Sequence, residues 1–241
     1  MLIAGPDKLP VMGKRLLLLL LGALMAGCGS SSSGTPTLTQ GTTTTAAPSR
    51  APTAVTVFRV QDGKLHAEVV QVPHTTAVAA SALDALGLAA PVTIAAGTAH
   101  LALDHASASE IAEIVYTLTQ FPSIERVDVA GRTGLTRADF AAYVPPILVD
   151  SPGDGAEVPL TIRVTGSASV YEATLVVELV RDGKVLDKQT VTASEGAPGR
   201  GTFVTTLRAP SPGDATVSAF SPSAENGLPQ HQVDMPVTVK P

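Results

Sequence analysis

The residues best able to do chemistry in this chain are one cysteine and five histidines. A histidine pair spaced as in HExxH can hold zinc, and a cysteine can act as a nucleophile or carry a covalent modification. No two histidines here have a metal-site spacing, and Asp104-His105 stands alone at a predicted helix entry, where polar residues are expected anyway. The histidines are His66, His74, His100, His105 and His231. Their spacing predicts no metal site.

Two glycine-containing segments carry the remaining chemical motifs. GAPGRGT at 196–202 has glycines like those of a phosphate-binding loop, but no Lys follows its last Gly and it lies between predicted strands. DSPGDG at 150–155 offers two carboxylates without the spaced oxygen ligands of a calcium loop. We interpret both as turns. Since a GxSxG nucleophile motif is also absent, we predict no catalytic, cofactor-binding or metal-binding residue and no enzyme activity.

Cys28 follows a segment with the features of a secretory signal. Lys14 and Arg15 precede the apolar run Leu16–Leu21, and LMAGC ends at Cys28 with two small residues before the thiol. The apolar segment 16–27 is shorter than the roughly 20 residues that a spanning helix needs. The sequence leaves open whether translation starts at Met1 or at Met12.

LMAGC resembles the lipobox of bacterial lipoproteins, with Met25 where that family usually has Leu. The resemblance implies that residues 1–27 are a cleaved lipoprotein signal peptide and that Cys28 is acylated, with palmitate-like chains as membrane anchor. An uncleaved signal anchor and an ordinary signal peptide with an unpaired Cys remain as alternatives. We expect the protein at the extracytoplasmic face of the cell membrane.

Residues 28–53 are rich in Ser, Thr, Gly and Pro and contain few large apolar side chains. Such a segment cannot bury enough surface to offset its chain entropy, so we predict a disordered tether. The net charge of −5 and the aromatic content of 3% argue against nucleic acid as a partner, since phosphates are repelled and few rings can stack on bases.

The first folded half alternates short strands and helices. Asp62-Gly63 between two Val-rich runs predicts a hairpin over 55–73, and Thr75 and Gly87 are expected to start and stop a helix. Residues 91–104 are predicted as a strand or short hairpin.

A second helix is predicted after the capping box SASE at 107–110, with a strand over 124–129. Ile111, Ile114, Val115 and Leu118 form its apolar side. We expect the opposite side, with Glu113 and Gln120, to face solvent and to carry any partner contact. ASEIAEIVYTLTQFPSIERVDVAG in this region resembles the end of the sporulation and spore germination (GerMN) domain, and the resemblance covers roughly 55–143. It implies a small α/β sandwich with about two helices on a mixed sheet.

The second half changes to a period of two. Residues 132–155 read as a connection with a helical turn at 136–143, and several short strands follow, with a second hairpin at Asp182-Gly183. Such spacing suggests a β-sandwich. ILVDSPGDGAEV, VYEATLVVELVRDGKVL, TASEGAPGRGTF and FSPSAENGLPQH are similar to the immunoglobulin-like domain of bacterial spore germination, over about 147–241.

Together these features predict an α+β protein with a GerMN-like domain at 54–144 and an immunoglobulin-like β-sandwich at 145–241. We expect a non-catalytic binding or scaffolding module with envelope protein partners, in sporulation, germination or cell-wall assembly. The alternative is a protein that binds cell-wall glycan (peptidoglycan) or assists a cell-wall hydrolase. The absence of Trp weakens that alternative, because sugars are usually gripped by aromatic rings. A hydrolase is the third hypothesis.

Overall fold

The structure, a computed structural model, describes residues 51–241. The predicted signal peptide at 1–27, the lipidation site Cys28 and all but the last residues of the tether at 28–53 lie outside this range. Within 51–241, none of the helices has both the length and the apolar character that crossing a bilayer requires.

A β-hairpin opens the described chain. Strands β1 (Thr53–Gln61) and β2 (Lys64–Val72) pair antiparallel around Asp62-Gly63, where both residues have positive φ. This confirms the hairpin predicted from Asp-Gly. Helix α1 (Val78–Ala85) follows without a side-chain N-cap, because its N-cap residue is Ala77. The Thr75 hydroxyl accepts a 3.0 Å hydrogen bond from Ala77 N, outside the helix. The prediction that Thr75 caps this helix is therefore wrong by two residues.

A four-stranded mixed sheet completes the first half. Helix α2 (Ala108–Leu118) crosses over between two parallel neighbours in this sheet, β4 (Thr98–Leu101) and β5 (Arg126–Val129), and its Ser107–Glu110 capping box is formed as predicted. The last strand was not predicted, since its hairpin turn uses Ala130-Gly131 rather than Asp-Gly. In spatial order the strands are β3 (Val92–Ala95), β4 (Thr98–Leu101), β5 (Arg126–Val129) and β6 (Arg132–Leu135).

Helix α2 also covers the free edge of β1. Its Glu113 carboxylate accepts a 2.6 Å bond from Val60 N, and its Thr117 hydroxyl accepts a 2.9 Å bond from Phe58 N. One helical turn further on, the Gln120 side chain donates a 2.6 Å hydrogen bond to the Thr56 carbonyl of β1. Four helical residues rise about 6 Å, close to the rise of two strand residues, so side chains on one helix face meet alternate strand residues. The prediction that Glu113 and Gln120 face solvent is wrong.

The second half is an immunoglobulin-like β-sandwich, which begins after a 3₁₀ helix at Arg137–Tyr143. The strands are β7 (Ile147–Ser151), β8 (Ala156–Val158), β9 (Thr161–Ala168), β10 (Thr174–Arg181), β11 (Lys184–Thr192), β12 (Gly201–Arg208), β13 (Gly213–Pro222) and β14 (Pro229–Val239). One sheet has the order β12-β9-β7 and the other the order β11-β10-β13-β14-β8, with β8 parallel to β14. The Asp182-Gly183 turn joins β10 to β11, as predicted.

A single buried cluster of apolar side chains runs through both halves. It includes Phe58 and Ile114 in the first half and Ile147 and Leu175 in the second. Pro48–Pro241 accordingly forms one compact unit. The structure confirms the α+β class, the two helices with a mixed sheet and the sandwich that follows them. The division into domains at 144/145 stays a prediction.

Candidate functional site

The two halves meet at Arg137, whose guanidinium makes hydrogen bonds and ring contacts. The Arg137 guanidinium donates to Asp150 Oδ1 at 3.1 Å, to the Tyr116 carbonyl at 3.1 Å and to Thr119 Oγ1 at 2.9 Å. It also lies 5.2 Å from the Phe58 ring centroid and 4.7 Å from that of Tyr116. The planar fork of Arg suits this combination of directed hydrogen bonds and ring faces. Because Asp150 belongs to β7 and the others to the first half, the cluster joins the two halves.

Burial dominates the electrostatics of this cluster. It raises the pKa of the Asp150 carboxyl, and the attraction of Arg137 opposes that shift without reversing it. Burial likewise raises the pKa of the Tyr116 phenol and lowers the pKa of the Arg200 guanidinium. The Tyr116 phenol donates a hydrogen bond to the Arg137 carbonyl at 3.4 Å, so the side chain of Tyr116 contacts Arg137 through both its ring and its hydroxyl. The arrangement holds the two halves together.

The DSPGDG segment docks on the first half and extends its hairpin. Val69 N donates to the Asp154 carbonyl and Asp154 N donates to the Ala67 carbonyl, each at 2.8 Å. A Cβ on Gly153 would lie 3.1 Å from Val69 Cγ2 and 3.4 Å from the carbonyl carbon of Ala67, so glycine permits the close approach. His66 Nε2 lies 3.6 Å from Asp154 Oδ2. The interpretation of this segment as a turn missed its contact with β2.

The GAPGRGT segment also serves the junction. Arg200 Nη2 donates to the Pro145 carbonyl at 2.5 Å and Nη1 donates to Ser167 Oγ at 3.1 Å. Arg200, the only cation of this segment, is thus bound to the connecting chain at Pro145 and to β9 at Ser167, which agrees with the interpretation of the segment as a sandwich loop rather than a phosphate site.

A cleft of about 280 Å³ opens beside the junction, between β2, β7 and β14. Its lining includes the buried side chains of Leu65, Val149 and Met235. Its rim carries the polar side chains Gln61, Asp62, Lys64, His66, Gln232 and Asp234. Ligands bind in clefts that combine apolar with polar side chains, so this cleft is one candidate binding site.

The histidines, whose spacing predicts no metal site, lie at separate places in the described part of the chain. His100 Nδ1 pairs with Asp128 Oδ2 at 2.9 Å across β4 and β5, and His74 Nδ1 lies 3.4 Å from Thr53 Oγ1. His105 and His231 are exposed. Across 51–241, no three His, Cys, Asp or Glu side chains are grouped as ligands for one ion. The absence of metal, cofactor and catalytic residues stays a prediction, and Cys28 lies outside the described range.

Arg137 was not singled out from the sequence, and Asp150 was considered only as one of the two carboxylates of DSPGDG. Both lie in the segment 132–155, which was interpreted as a connection. Opposite charges thirteen residues apart in such a segment do not predict an ion pair. Their pairing depends on the 3₁₀ helix turning the chain back onto β7.

Comparison with known proteins gives one family match, over part of the second half. Residues 146–228 match the family model of the immunoglobulin-like domain of bacterial spore germination. This confirms the resemblance stated for the second half and relates that half to proteins of spore germination. The GerMN resemblance of the first half stays a prediction. None of the curated proteins matches the chain.

Two solved structures are similar to parts of the chain. An engineered protein matches at 20% identity with a TM-score of 0.30, over 57% of this chain and 29% of its own. The fibronectin(III)-like modules of CbhA from Clostridium thermocellum match at 16% identity with a TM-score of 0.26, over 39% of this chain and 93% of theirs. The chain thus spans less than a third of the length of the first of these.

Proposed function

We propose that this protein is a non-catalytic binding or scaffolding module of the bacterial cell envelope. The observation that carries the proposal is the junction. An ion pair, an arginine packed against two rings and a strand-like contact at Gly153–Asp154 fix two different folds in one orientation. A scaffold benefits from such rigidity, because partners then dock on surfaces whose spacing does not change.

The anchor is proposed on sequence grounds. LMAGC at 24–28 supports acylation of Cys28, and the polar segment that follows supports a spacer between the bilayer and the folded unit. A role in sporulation, germination or cell-wall assembly is supported by the name of the family that matches 146–228. The GerMN-like first half belongs to the same proposal.

The alternative function is binding of cell-wall glycan, alone or as an accessory to a hydrolase. One observation favours it: Tyr171 exposes 69% of its surface, and an exposed ring is a common platform for sugars. The chain otherwise offers few rings, with 3 Tyr, 5 Phe and no Trp.

Site-specific photocrosslinking in cells separates the two functions. The full chain would carry a photoreactive amino acid at Gln232 in the cleft, at Tyr171 on the sandwich or at Ile94 on β3. All three side chains are exposed. We expect protein adducts from at least one position and no retention of the purified chain on peptidoglycan. Retention on peptidoglycan with no protein adduct from any position would overturn the scaffold and favour the glycan binder.

A further inference from the structure

One end of the β-sandwich is formed by three loops. They are the β9–β10 loop (169–173), the β11–β12 loop (193–200) and the β13–β14 loop (223–228). Strand register places them together, because Ala168 pairs with Gly201 and Thr174 pairs with Thr192. The third loop adjoins the first, since Ser221 Oγ donates to the Thr174 carbonyl at 3.4 Å.

These loops display the two most exposed large apolar side chains of 51–241. Tyr171 is 69% exposed in the first loop and Leu228 is 61% exposed in the third. Aromatic residues are frequent anchors in protein interfaces, where they fill pockets of the partner. Tyr116, in contrast, is buried in the junction.

Backbone strain concentrates at the same end. Among the residues described, four of the non-glycine residues with positive φ precede a glycine in a two-residue hairpin turn, where such values are expected: Asp62, Ala96, Ala130 and Asp182. The other three are Glu172 and Ala173, directly after Tyr171, and His231 at the start of β14. Strained residues persist where the surroundings hold them, and they cluster at functional sites.

The loop that presents Tyr171 is fixed by its neighbour. Ala197 N donates to the Val170 carbonyl and Ala193 N donates to the Ala173 carbonyl, each at 2.9 Å. Gly196 packs so closely that a Cβ there would lie 2.8 Å from Ala173 N. Val170 and Ala173 are buried on either side, so the exposed ring stands on a rigid base. A preorganised anchor loses little entropy on binding.

The charge of this end is acidic. Each of the three loops carries one exposed glutamate: Glu172, Glu195 and Glu225. Arg200 turns inward to the Pro145 carbonyl and Ser167, and the exposed His231 follows the third loop at the start of β14. We call the surface of Tyr171, Glu172, Glu195, Glu225 and Leu228 the apical face.

We propose that the apical face docks a partner protein through a segment that combines basic with apolar side chains. Tyr171 and Leu228 would pack against the apolar side chains, and the three carboxylates would steer and orient the Lys or Arg side chains. Anionic wall polymers and acidic lipid headgroups would be repelled by the same carboxylates. This inference rests on the proposed binding function and names the chemistry of its partner.

The test measures binding of the full chain to a panel of synthetic twelve-residue peptides. One set combines Lys and Arg with Leu and Phe, a second set has Glu in place of each Lys and Arg, and soluble peptidoglycan fragments form the third. Tyr171→Ala and the triple variant Glu172→Lys, Glu195→Lys, Glu225→Lys alter the apical face. Val185→Ala changes an exposed apolar side chain at the opposite end of the sandwich. A charge-matched triple uses exposed carboxylates of the first half: Asp84→Lys, Asp104→Lys and Glu125→Lys.

We expect members of the basic set to bind, with affinity that falls as salt rises. Tyr171→Ala should weaken binding by about tenfold or more, as for an interface anchor, and the apical triple should abolish it or shift preference to the acidic set. Both controls should bind as the wild type does. The inference is overturned if no basic peptide binds, if the apical variants behave like the controls, or if peptidoglycan fragments bind instead. In-cell adducts from Gln232 or Ile94 alone would also overturn it, while leaving the proposed function standing.

Discussion

The Arg137 guanidinium and the Asp150 carboxylate lie 3.1 Å apart and join the two halves of the chain. Arg137 belongs to the 3₁₀ helix that ends the first half, and Asp150 belongs to the first strand of the sandwich. Both side chains are about three-tenths exposed, so their attraction is partly screened. The hydrogen bonds and ring contacts of Arg137 therefore contribute more to the junction than its charge alone.

Arg137→Ala should lower the free energy of unfolding by about 1–3 kcal/mol, since it leaves a carbonyl and a carboxylate without their donor. Arg137→Lys keeps the charge but loses the fork, so it should recover only part of the loss. Urea unfolding measures both. Arg126→Ala, at an exposed arginine of β5, is the control and should stay within about 0.5 kcal/mol. Equal effects of Arg137→Ala and Arg126→Ala would show that the cluster contributes nothing.

Asp150→Asn should change stability little at pH 7, because the amide oxygen still accepts from Arg137, and this partly exposed guanidinium keeps its bonds to the Tyr116 carbonyl and Thr119. Acidification should then favour the wild type over the variant. The raised pKa of Asp150 means that the folded state takes up a proton before the unfolded chain does. The relative gain begins as pH falls through that raised value and is complete below the ordinary pKa of an aspartate.

Urea midpoints of both proteins between pH 7 and pH 3 measure this difference. Glu110 and Asp139 have lowered pKa values because backbone and side-chain donors at Ser107 and Thr136 hold their charged forms. Both lose their stabilising contribution on acidification, but equally in the two proteins, so the comparison cancels them. If the wild type lost stability relative to Asp150→Asn as pH fell, attraction to Arg137 would outweigh burial.

Glu113→Lys should destabilise the protein by about 1–3 kcal/mol, because a lysine cannot accept the hydrogen bond from Val60 N. Glu113→Gln keeps an acceptor oxygen and should cost less than about 1 kcal/mol. Thermal or urea unfolding of the pair isolates the contact between α2 and the edge of β1. If Glu113→Lys and Glu113→Gln were equally stable, water would be hydrogen-bonding the free amide of Val60 in place of Glu113.

Cys28→Ser should release the folded protein from membranes or leave its signal uncleaved, since serine cannot carry the thioether-linked lipid. Cell fractionation and the size of the band on a gel report both outcomes. Replacing the neighbouring Ser30 by Ala is the control and should leave fractionation unchanged. A mature-sized Cys28→Ser band that still fractionates with the membrane would contradict lipid anchoring.

Local signals in the sequence predicted the local structure well. Asp62-Gly63 and Asp182-Gly183 specify hairpin turns by their own backbone preferences, and Ser107 with Glu110 specifies a helix start. The β5–β6 hairpin was missed because Ala130 gives no such signal, although it adopts the same positive φ. Such a turn can therefore be predicted from residue type only where the residue at the positive-φ position is one that favours that conformation.

The contacts that define the junction were not predictable in the same way. Arg137 meets Asp150, and Asp154 meets β2, only after the chain has folded back across many residues. The polar row of α2 was misread for a related reason. A polar helix face can contact either solvent or the unpaired edge of a strand. The spacing of Glu113 and Thr117 does not distinguish these two environments.

The fixed orientation of the two halves is the central claim, and residual dipolar couplings of backbone amides in the full chain test it most directly. Couplings from 55–144 and from 147–239 should fit one alignment tensor in the wild type. Gly153→Val forces a side chain into the backbone of β2 and should loosen the docking of the second half, so its couplings should need two tensors. Two different tensors in the wild type would contradict the rigid scaffold.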